Sequence, residues 1–238
     1  MTEFKNQIVL ITGADGGLGT ALVTELINRK VKKIYATGLK IDNLKSVFEK
    51  YGELVVSVEL DVTNTESIQK CVLICSDTTI LINNAGVEFK APFISEKASK
   101  AASFEMKVNY IGVIEMINNF VQHLEKNKNS IIVNVLSIGS LVIVKRLGSY
   151  CASKTATHIL TEAIREELSE KGIKVMAVYM GYVNTPMVPE QTKTIKSEPS
   201  DIVIEICNGI ELGNDRIYPD QITKNFIAKN PINTLYFE

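Results

Sequence analysis

The strongest constraint on the fold is a regular alternation of short apolar runs with helical patterns. Six runs rich in Val and Ile predict strands at residues 7–12, 33–37, 54–60, 79–83, 130–137 and 174–180. They mostly lack the polar alternation of half-exposed strands, so we expect helices on both of their faces. Helical patterns follow at residues 18–30, 42–51, 65–76, 98–126, 149–171 and 200–212. The order predicts an α/β fold, a doubly wound parallel sheet of about seven strands, with residues 216–219 as a last edge strand.

Composition limits what such a chain does. The 238 residues are 45% apolar and 22% charged, which suits one globular domain with a substantial core. The absence of a linker, a repeat or a low-complexity block predicts a single domain over residues 1–238. A net charge of −1 without a long basic run argues against a nucleic-acid partner.

Location and metal content are also predicted from composition. The polar N-terminus has no signal-peptide pattern, and no apolar run approaches the length of a membrane span. We therefore expect a cytoplasmic protein that does not enter the membrane. The cysteines, Cys71, Cys75, Cys151 and Cys207, have no metal-type spacing with His, and we expect reduced thiols and no metal site. Cys71 and Cys75 lie four residues apart on a probable helix and are expected to be buried small hydrophobic residues.

A glycine-rich turn, TGADGGLG, joins the first predicted strand to the first predicted helix. Its spacing is GxxxGxG, with Gly13, Gly17 and Gly19. Missing side chains let a backbone approach a pyrophosphate, whose charge the helix N-terminus stabilises. The alternative is a tight turn that binds nothing. The tandem Gly16 and Gly17 exceed what a turn requires and favour phosphate binding.

Tyr150 and Lys154 lie one helical turn apart, with Ser137 thirteen residues before the tyrosine. A lysine at i+4 lies on the same helix face, where its charge would lower the pKa of the phenol. Such a pair arises easily by chance, and a surface pair is the plain alternative. Hydride addition to a carbonyl carbon leaves negative charge on oxygen, which a proton donor and a second hydroxyl stabilise. The three residues therefore predict nucleotide-dependent carbonyl chemistry.

Together these motifs resemble the short-chain dehydrogenases/reductases of the single-domain type. The matching stretches follow the family's order and spacing from Lys5 to about Pro231: residues 12–19, 61–63 (DVT), 83–86 (NNAG), Asn109, Ser137, 150–154 (YCASK) and 180–187 (MGYVNTPM). The resemblance implies an NAD(P)-binding Rossmann-type domain that contains both the cofactor site and the substrate site. It also implies a homodimer or homotetramer, in which the helices at residues 98–126 and 149–171 pair across a two-fold axis. These helices carry apolar residues on more than one face: Val108, Ile111, Val113, Ile114, Ile117, Ile159, Leu160 and Ile164.

The resemblance further implies a catalytic tetrad. Tyr150 would be the general acid in reduction and the general base in oxidation, and Lys154 would lower its pKa and hold the nicotinamide ribose. Ser137 would orient the substrate carbonyl, and Asn109 would support a water between Lys154 and solvent. Taken alone, Ser137 could simply end a strand and Asn109 could be a polar break in a long helix.

The cofactor contacts implied by the resemblance are Gly13, Asp15, Gly16, Gly17, Leu18, Gly19, Gly38, Leu39, Lys40, Asp61, Val62, Asn84, Ala85, Gly86, Tyr150, Lys154, Gly181, Val183 and Thr185. Asp61 would accept a hydrogen bond from the adenine amino group, or would only shape its turn. One departure is Met180, where the family usually has Pro, which suggests a less rigid backbone. A second is the short segment after Thr185, which predicts an open substrate site.

The choice between NADP and NAD depends on the end of the second strand. An acid there would bind the ribose 2′-hydroxyl and repel a 2′-phosphate. The chain instead has Gly38, Leu39 and Lys40, and Lys40 could reach a phosphate. However, Leu39 stands where a phosphate-binding Arg is expected, and Gly16 where many NADP-dependent relatives carry a basic residue. The sequence favours NADP and leaves NAD open.

The predicted substrate is a small to medium hydrophobic ketone, aldehyde or secondary alcohol. The positions that the resemblance places around it are mostly apolar: Glu88, Phe89, Gly139, Leu141, Val142, Leu147, Tyr182 and Met187. The alternative is that residues 141–144 (LVIV) pack against the protein or a neighbouring subunit. Two other functions stay open at this point. One is an NAD-dependent alcohol or hydroxysteroid dehydrogenase, and the other is a nucleotide-sensing regulator without catalysis. An intact proton donor argues against the regulator.

Overall fold

The protein is described by a computed structural model that covers residues 2–127, 129–188 and 195–232. Its strands, numbered in chain order, are β1 (Ile8–Ile11), β2 (Lys33–Gly38), β3 (Val55–Glu59), β4 (Ile80–Asn83), β5 (Ile131–Val135), β6 (Lys174–Val178) and β7 (Arg216–Ile217). They form one sheet in the order β3-β2-β1-β4-β5-β6-β7, and every neighbouring pair is parallel. This confirms the predicted sheet, including its edge strand.

Eight α-helices accompany the strands in the described residues: α1 (Gly17–Asn28), α2 (Ile41–Phe48), α3 (Thr65–Ile74), α4 (Ala98–Met106), α5 (Gly112–Leu124), α6 (Gly148–Ser169), α7 (Pro199–Leu212) and α8 (Gln221–Lys229). None of them has both the length and the apolarity needed to cross a membrane.

The two faces of the sheet carry separate cores because successive strand residues point in opposite directions. In β1, Val9 and Ile11 pack into the core beneath α1, α2 and α7, whereas Leu10 packs into the core beneath α3, α5 and α6. The strands are therefore apolar on both faces, which explains their continuous Val and Ile runs. Cys71 and Cys75 are free, fully buried members of the second core, as expected.

Two helical regions differ from the sequence prediction. Residues 98–126 were expected to form one regular helix, but a π-helical turn at Lys107–Ile111 separates α4 from α5. Such turns insert an extra residue into an α-helix and often mark functional sites. Helix α8 was not predicted because its sequence is mostly polar. Its N-terminal signal is Asp220, whose side chain caps the Thr223 N–H.

Candidate active site

A cavity of about 690 Å³ opens at the carboxyl ends of the strands. It lies between the loop that follows β1 and the loop that follows β4. These two strands are neighbours although β2 and β3 separate them in sequence, so the connections diverge from this point of the sheet. Doubly wound sheets bind their ligands in such a crevice.

The glycine-rich turn forms one wall of the cavity and tolerates no side chain at two of its positions. A Cβ on Gly19 would lie 2.3 Å from the Gly13 carbonyl oxygen, and one on Gly17 would lie 2.9 Å from Cγ2 of Thr185. Gly13 itself has a φ of +64°. Because these side chains are missing, the backbone of the turn borders the cavity directly. The loop at Thr185 can also pack closely against the turn.

Thr12 and Asn84 tie the two loops together. The Thr12 hydroxyl accepts hydrogen bonds from the N–H groups of Asn84 and Ala85, each at 2.9 Å. The Asn84 amide donates to the carbonyl oxygens of Thr12 and Gly13 at 2.9 and 3.0 Å. Behind them, Asn83 donates to Asn134 across the sheet at 2.8 Å. These side-chain hydrogen bonds join the two loops that border the crevice.

Ser137, Tyr150 and Lys154 all line the opposite end of the same cavity. Ser137 caps a short 3₁₀ turn, and its Oγ accepts from the Gly139 N–H at 3.0 Å. Its hydroxyl lowers the pKa of the Tyr150 phenol, although burial outweighs this effect. The sequence therefore brings two hydroxyl groups together from residues thirteen positions apart.

Lys154 does not act on Tyr150 as the helical spacing suggests. Its buried Nζ donates to the Val135 carbonyl at 2.9 Å and lies 6.0 Å from the centre of the tyrosine ring. Burial lowers the pKa of Lys154 to about 8. Burial also raises the pKa of Tyr150, and the Glu88 carboxylate raises it further, which outweighs the lowering by the Ser137 hydroxyl. The expected lowering of the phenol pKa is therefore wrong for this structure.

Asn109 lies in the π-helical turn and does not line the cavity. Its amide exchanges two hydrogen bonds with the backbone of Val87, both at 2.9 Å, and donates to Ser153 Oγ at 2.9 Å. A Cβ on Gly86 would lie 3.3 Å from Asn109 Oδ1 and 3.5 Å from Lys154 Nζ. Asn109 therefore fixes the loop after β4 against α6, directly behind Lys154.

Asp220 stabilises the backbone where the family usually has Pro. Its Oδ2 accepts from the Gly181 N–H at 2.8 Å, and its Oδ1 accepts from Thr223 at 2.8 Å. Gly181, Val183 and Thr185 all line the cavity. The N-cap residue of the unpredicted helix α8 thus anchors the segment that follows Met180.

The predicted residues at the end of β2 are only partly in place. Gly38 and Leu39 line the cavity, but Lys40 does not and is exposed. The Asp15 carboxylate lies beside Gly38, and a Cβ there would meet its Oδ1 at 2.6 Å. An acid is therefore present at this place after all, supplied by the glycine-rich turn. Sequence reasoning missed this acid because Asp15 and β2 are distant in the chain and become neighbours only in the folded structure.

Asp61 lies at the cavity edge with Val62. Its Oδ1 accepts from the Thr63 N–H at 2.8 Å and from the Thr63 hydroxyl at 2.7 Å. This is a turn-forming role. The remaining predicted cofactor contacts in the two loops, Gly16, Leu18, Ala85 and Gly86, all line the cavity.

The substrate end is apolar apart from the hydroxyls and one carboxylate. Of the expected wall, Glu88, Gly139, Leu147, Tyr182 and Met187 line the cavity, whereas Phe89, Leu141 and Val142 do not. Sequence reasoning missed several lining residues: Phe104, Leu136, Ile138, Val144, Pro186 and Val188. Phe104 comes from helix α4, and the others come from the turns and loops after β5 and β6. The expectation of an open site concerns a segment of which residues 189–194 lie outside the described residues.

A sequence model described as short chain dehydrogenase matches residues 7–196, which is most of the chain. The chain belongs to the short-chain dehydrogenase/reductase family. As a family member it is an NAD(P)-dependent oxidoreductase, and its sheet is the Rossmann-type sheet that the sequence predicted.

Curated and solved relatives of this family extend the match. A fatty acyl-CoA reductase of Acinetobacter baylyi is 29% identical over 82% of this chain and 68% of its own length. An uncharacterised oxidoreductase of Staphylococcus saprophyticus is 28% identical over 98% of this chain and all of its own. A Burkholderia cenocepacia short chain dehydrogenase solved with NADP has a TM-score of 0.89 at 32% identity, covering 96% and 95% of the two chains. A Burkholderia phymatum enzyme solved with NAD has a TM-score of 0.82 at 21% identity over both full chains, which shows the shared fold.

The glycine-rich turn at residues 12–19, which we call the glycine cradle, fits the pyrophosphate of a dinucleotide. Side chains at Gly17 or Gly19 would collide with the surrounding atoms, so the space in front of this turn is kept free by glycine. The turn also leads into the N-terminus of α1, which favours a phosphate. The cavity then continues without interruption to Ser137 and Tyr150.

Proposed function

We propose that the protein reduces a small to medium hydrophobic ketone or aldehyde with NADPH, or oxidises the matching alcohol. One observation carries this proposal. The hydroxyls of Ser137 and Tyr150 end a cavity that begins at the glycine cradle. Bound nicotinamide dinucleotide supplies or accepts the hydride. The protein must then supply a proton at the carbonyl oxygen and exclude water around it.

Tyr150 is proposed to supply that proton. A tyrosine phenol is protonated at neutral pH even at its ordinary pKa of about 10, and burial raises the pKa of Tyr150 further. Tyr150 therefore has a proton to donate to the carbonyl oxygen in reduction. Ser137 Oγ is oriented by the Gly139 N–H and is free to donate toward the same oxygen. We assign Lys154 the role of holding the nucleotide and supporting Tyr150, with its position set by Val135 and Asn109.

A hydrophobic substrate is supported by the lining of the cavity. Phe104, Val144 and Leu147 surround the reacting hydroxyls and offer no hydrogen bond from their side chains. A relative named a fatty acyl-CoA reductase is consistent with an apolar carbonyl substrate.

NADP is the proposed cofactor on three grounds. Residue 38 is glycine rather than an acid, and Lys40 follows it closely in the sequence. In addition, a relative at 32% identity was solved with NADP. The second candidate is an NAD-dependent alcohol or hydroxysteroid-type dehydrogenase. Asp15 favours it, because a carboxylate beside Gly38 would repel a 2′-phosphate.

The test is a fluorescence titration with NADPH and NADH, followed by a panel of ketones, aldehydes and secondary alcohols. We expect tighter binding of NADPH and nucleotide-dependent turnover of an apolar carbonyl. Binding of either nucleotide without turnover of any carbonyl or alcohol would instead support the nucleotide-sensing regulator. Tighter binding of NADH would support the second candidate.

Assembly as a homodimer or homotetramer is also proposed. Ile111 and Ile159 are 44% and 60% exposed on the long helices that were expected to pair with a second copy. Of the other residues expected there, Val108, Val113, Ile117 and Ile164 are buried in the core instead. The apolar face is thus smaller than predicted. Light scattering at micromolar concentration should give at least twice the monomer mass, and a monomer alone would rule the assembly out. A single-domain organisation and a cytoplasmic location stay predictions.

A further inference from the structure

Glu88 places a carboxylate in the apolar substrate end of the cavity. It follows the NNAG loop by two residues and lines the cavity together with Tyr150 and Tyr182. Only 7% of its side chain is exposed. A charged group buried to this extent is costly unless it is paired, so its partners decide whether it has a structural role.

The Glu88 carboxylate has a distant cationic partner within the protein. Its Oε1 lies 3.6 Å from Lys90 Nζ, an ion pair that is longer than a hydrogen bond. That Nζ donates instead to the Met187 carbonyl at 2.6 Å. Within residues 2–127, 129–188 and 195–232, no group donates a hydrogen bond of normal length to the Glu88 carboxylate. A carboxylate that held the loop in place would show such bonds.

Glu105 provides the contrast. It is fully buried on α4, and its Oε1 accepts from the Phe89 N–H at 2.8 Å. It does not line the cavity. Glu105 thus has the structural role that Glu88 lacks, and its charge adds to the negative potential at Glu88.

The charge of Glu88 acts on the reacting end of the site. Glu88, Tyr150 and Tyr182 line the same cavity, and the Glu88 charge raises the pKa of both phenols. A substrate whose carbonyl meets Tyr150 therefore extends toward Glu88 or toward the apolar wall beside it.

We propose that Glu88 accepts a hydrogen bond from a donor on the substrate, a hydroxyl or an ammonium group, and thereby selects a substrate with one such donor on an otherwise apolar frame. The inference rests on the proposed carbonyl chemistry and narrows its substrate class. A site with a buried acceptor discriminates against analogues that leave the acceptor unpaired.

The test uses four ketones that differ in one substituent. They are acetophenones that carry at the 3-position an ethyl, a hydroxymethyl, an aminomethyl or a carboxylate group. The parent should show a kcat/KM for the hydroxymethyl or aminomethyl ketone at least about tenfold above that for the ethyl ketone, and lowest for the carboxylate. Comparison of the hydroxymethyl and aminomethyl compounds distinguishes a neutral donor from a cation.

Variants at residue 88 separate substrate recognition from a structural role. Glu88→Leu should lose the preference for the donor-bearing ketones and should raise kcat/KM for the ethyl ketone, because a desolvated carboxylate is replaced by an apolar group. Glu88→Gln keeps the shape and should retain part of the preference for the hydroxymethyl ketone. Glu96→Leu changes an exposed acid near the same loop and should leave the ranking of the four ketones unchanged.

Equal kcat/KM values for the ethyl and donor-bearing ketones in the parent would overturn the inference while leaving the proposed function intact. A parallel loss for all four ketones in Glu88→Leu and Glu88→Gln would also overturn it, because that pattern indicates a structural residue. If none of the ketones is reduced, the proposed function fails for this class. Dissociation constants of the four compounds for parent and Glu88→Leu, in the presence of NADP⁺, then decide the inference in the same way.

Discussion

The two ends of the cavity are built in different ways. The cofactor end consists of backbone, glycine and short polar side chains that bond one another, such as Thr12 and Asn84. The substrate end consists of side chains that share no sequence pattern, with Phe104 from helix α4 and Val144 and Met187 from loops among them. Hydrogen bonds at defined distances fix the first end, whereas shape and apolarity define the second.

This difference separates what the family shares from what an individual member recognises. A backbone cradle accepts few substitutions because most side chains would enter the space of the ligand or of the neighbouring loop. Apolar walls of loops accept many substitutions of similar volume. We therefore expect substitutions at the cofactor end to change binding of every substrate equally, and substitutions at the substrate end to change the ranking of substrates.

The largest effect is expected at the point where the two ends meet. Tyr150→Phe removes the proposed proton donor and keeps the ring, so turnover should fall by about a hundred- to ten-thousand-fold. Tyr182→Phe, at a second phenol that lines the cavity, is the matched control and should keep most of the activity. Rates, NADPH affinity and melting temperature should be measured for both. Equal rates in the two variants would remove Tyr150 from the mechanism.

Gly19→Ala should give the next largest effect. Its Cβ would lie 2.3 Å from the Gly13 carbonyl oxygen and 2.7 Å from the Ala14 Cα, so the backbone of the cradle must move. We expect NADPH binding to weaken about ten- to a hundredfold, as overpacking by one methyl group costs about 1–3 kcal/mol. In Gly16→Ala the new Cβ would lie 3.4 Å from the Gly13 carbonyl oxygen, and binding should be almost unchanged. A fluorescence titration that finds the two variants alike would contradict the cradle.

Asp15→Asn should change cofactor preference at the cofactor end alone. Removing the carboxylate beside Gly38 should raise the ratio of kcat/KM for NADPH to that for NADH by up to about tenfold. The structure makes this a cleaner test than Gly38→Asp, whose new side chain would collide with Asp15. Asp42→Asn removes an exposed carboxylate of α2 as a control. If the ratio stays constant in Asp15→Asn, Asp15 has no part in cofactor choice.

Lys40→Ala should produce the smallest change. Lys40 is exposed, so solvent screens its charge, and we expect the same ratio to fall by about two- to fivefold. Lys45→Ala, one turn further along α2, should have no effect. If the ratio of kcat/KM for NADPH to that for NADH does not fall in Lys40→Ala and the parent protein prefers NADH, the NAD-dependent dehydrogenase becomes the favoured function.

The strands and the cofactor end were predictable from sequence because their signals are local. A buried parallel strand is a continuous apolar run, and the glycine-rich turn must follow β1 directly. Helix α8 was missed because its polar sequence has no clear periodicity. The contact of Asp220 with Gly181 and the approach of Asp15 to Gly38 were missed because each joins residues that are distant in sequence. The substrate end was predicted only in part, since loop side chains follow no repeating pattern.

The pKa of Tyr150 shows a limit of a different kind. Helical spacing places Lys154 on the correct face, but the direction of the shift depends on burial, on Glu88 and on the carbonyl oxygen that binds the lysine. Each of these comes from another part of the chain. A spacing rule therefore predicts which residues meet, and the surrounding atoms determine their protonation.

The fate of the hydride tests the central claim most directly. The protein should be incubated with an apolar ketone from the panel and with NADPH that carries deuterium on one or the other face of C4, and the alcohol should be analysed by NMR. We predict that deuterium from only one of the two labelled forms appears on the carbinol carbon. Tight binding of NADPH with no deuterium transferred to any carbonyl compound would contradict the account and would leave a nucleotide-sensing protein on a dehydrogenase fold.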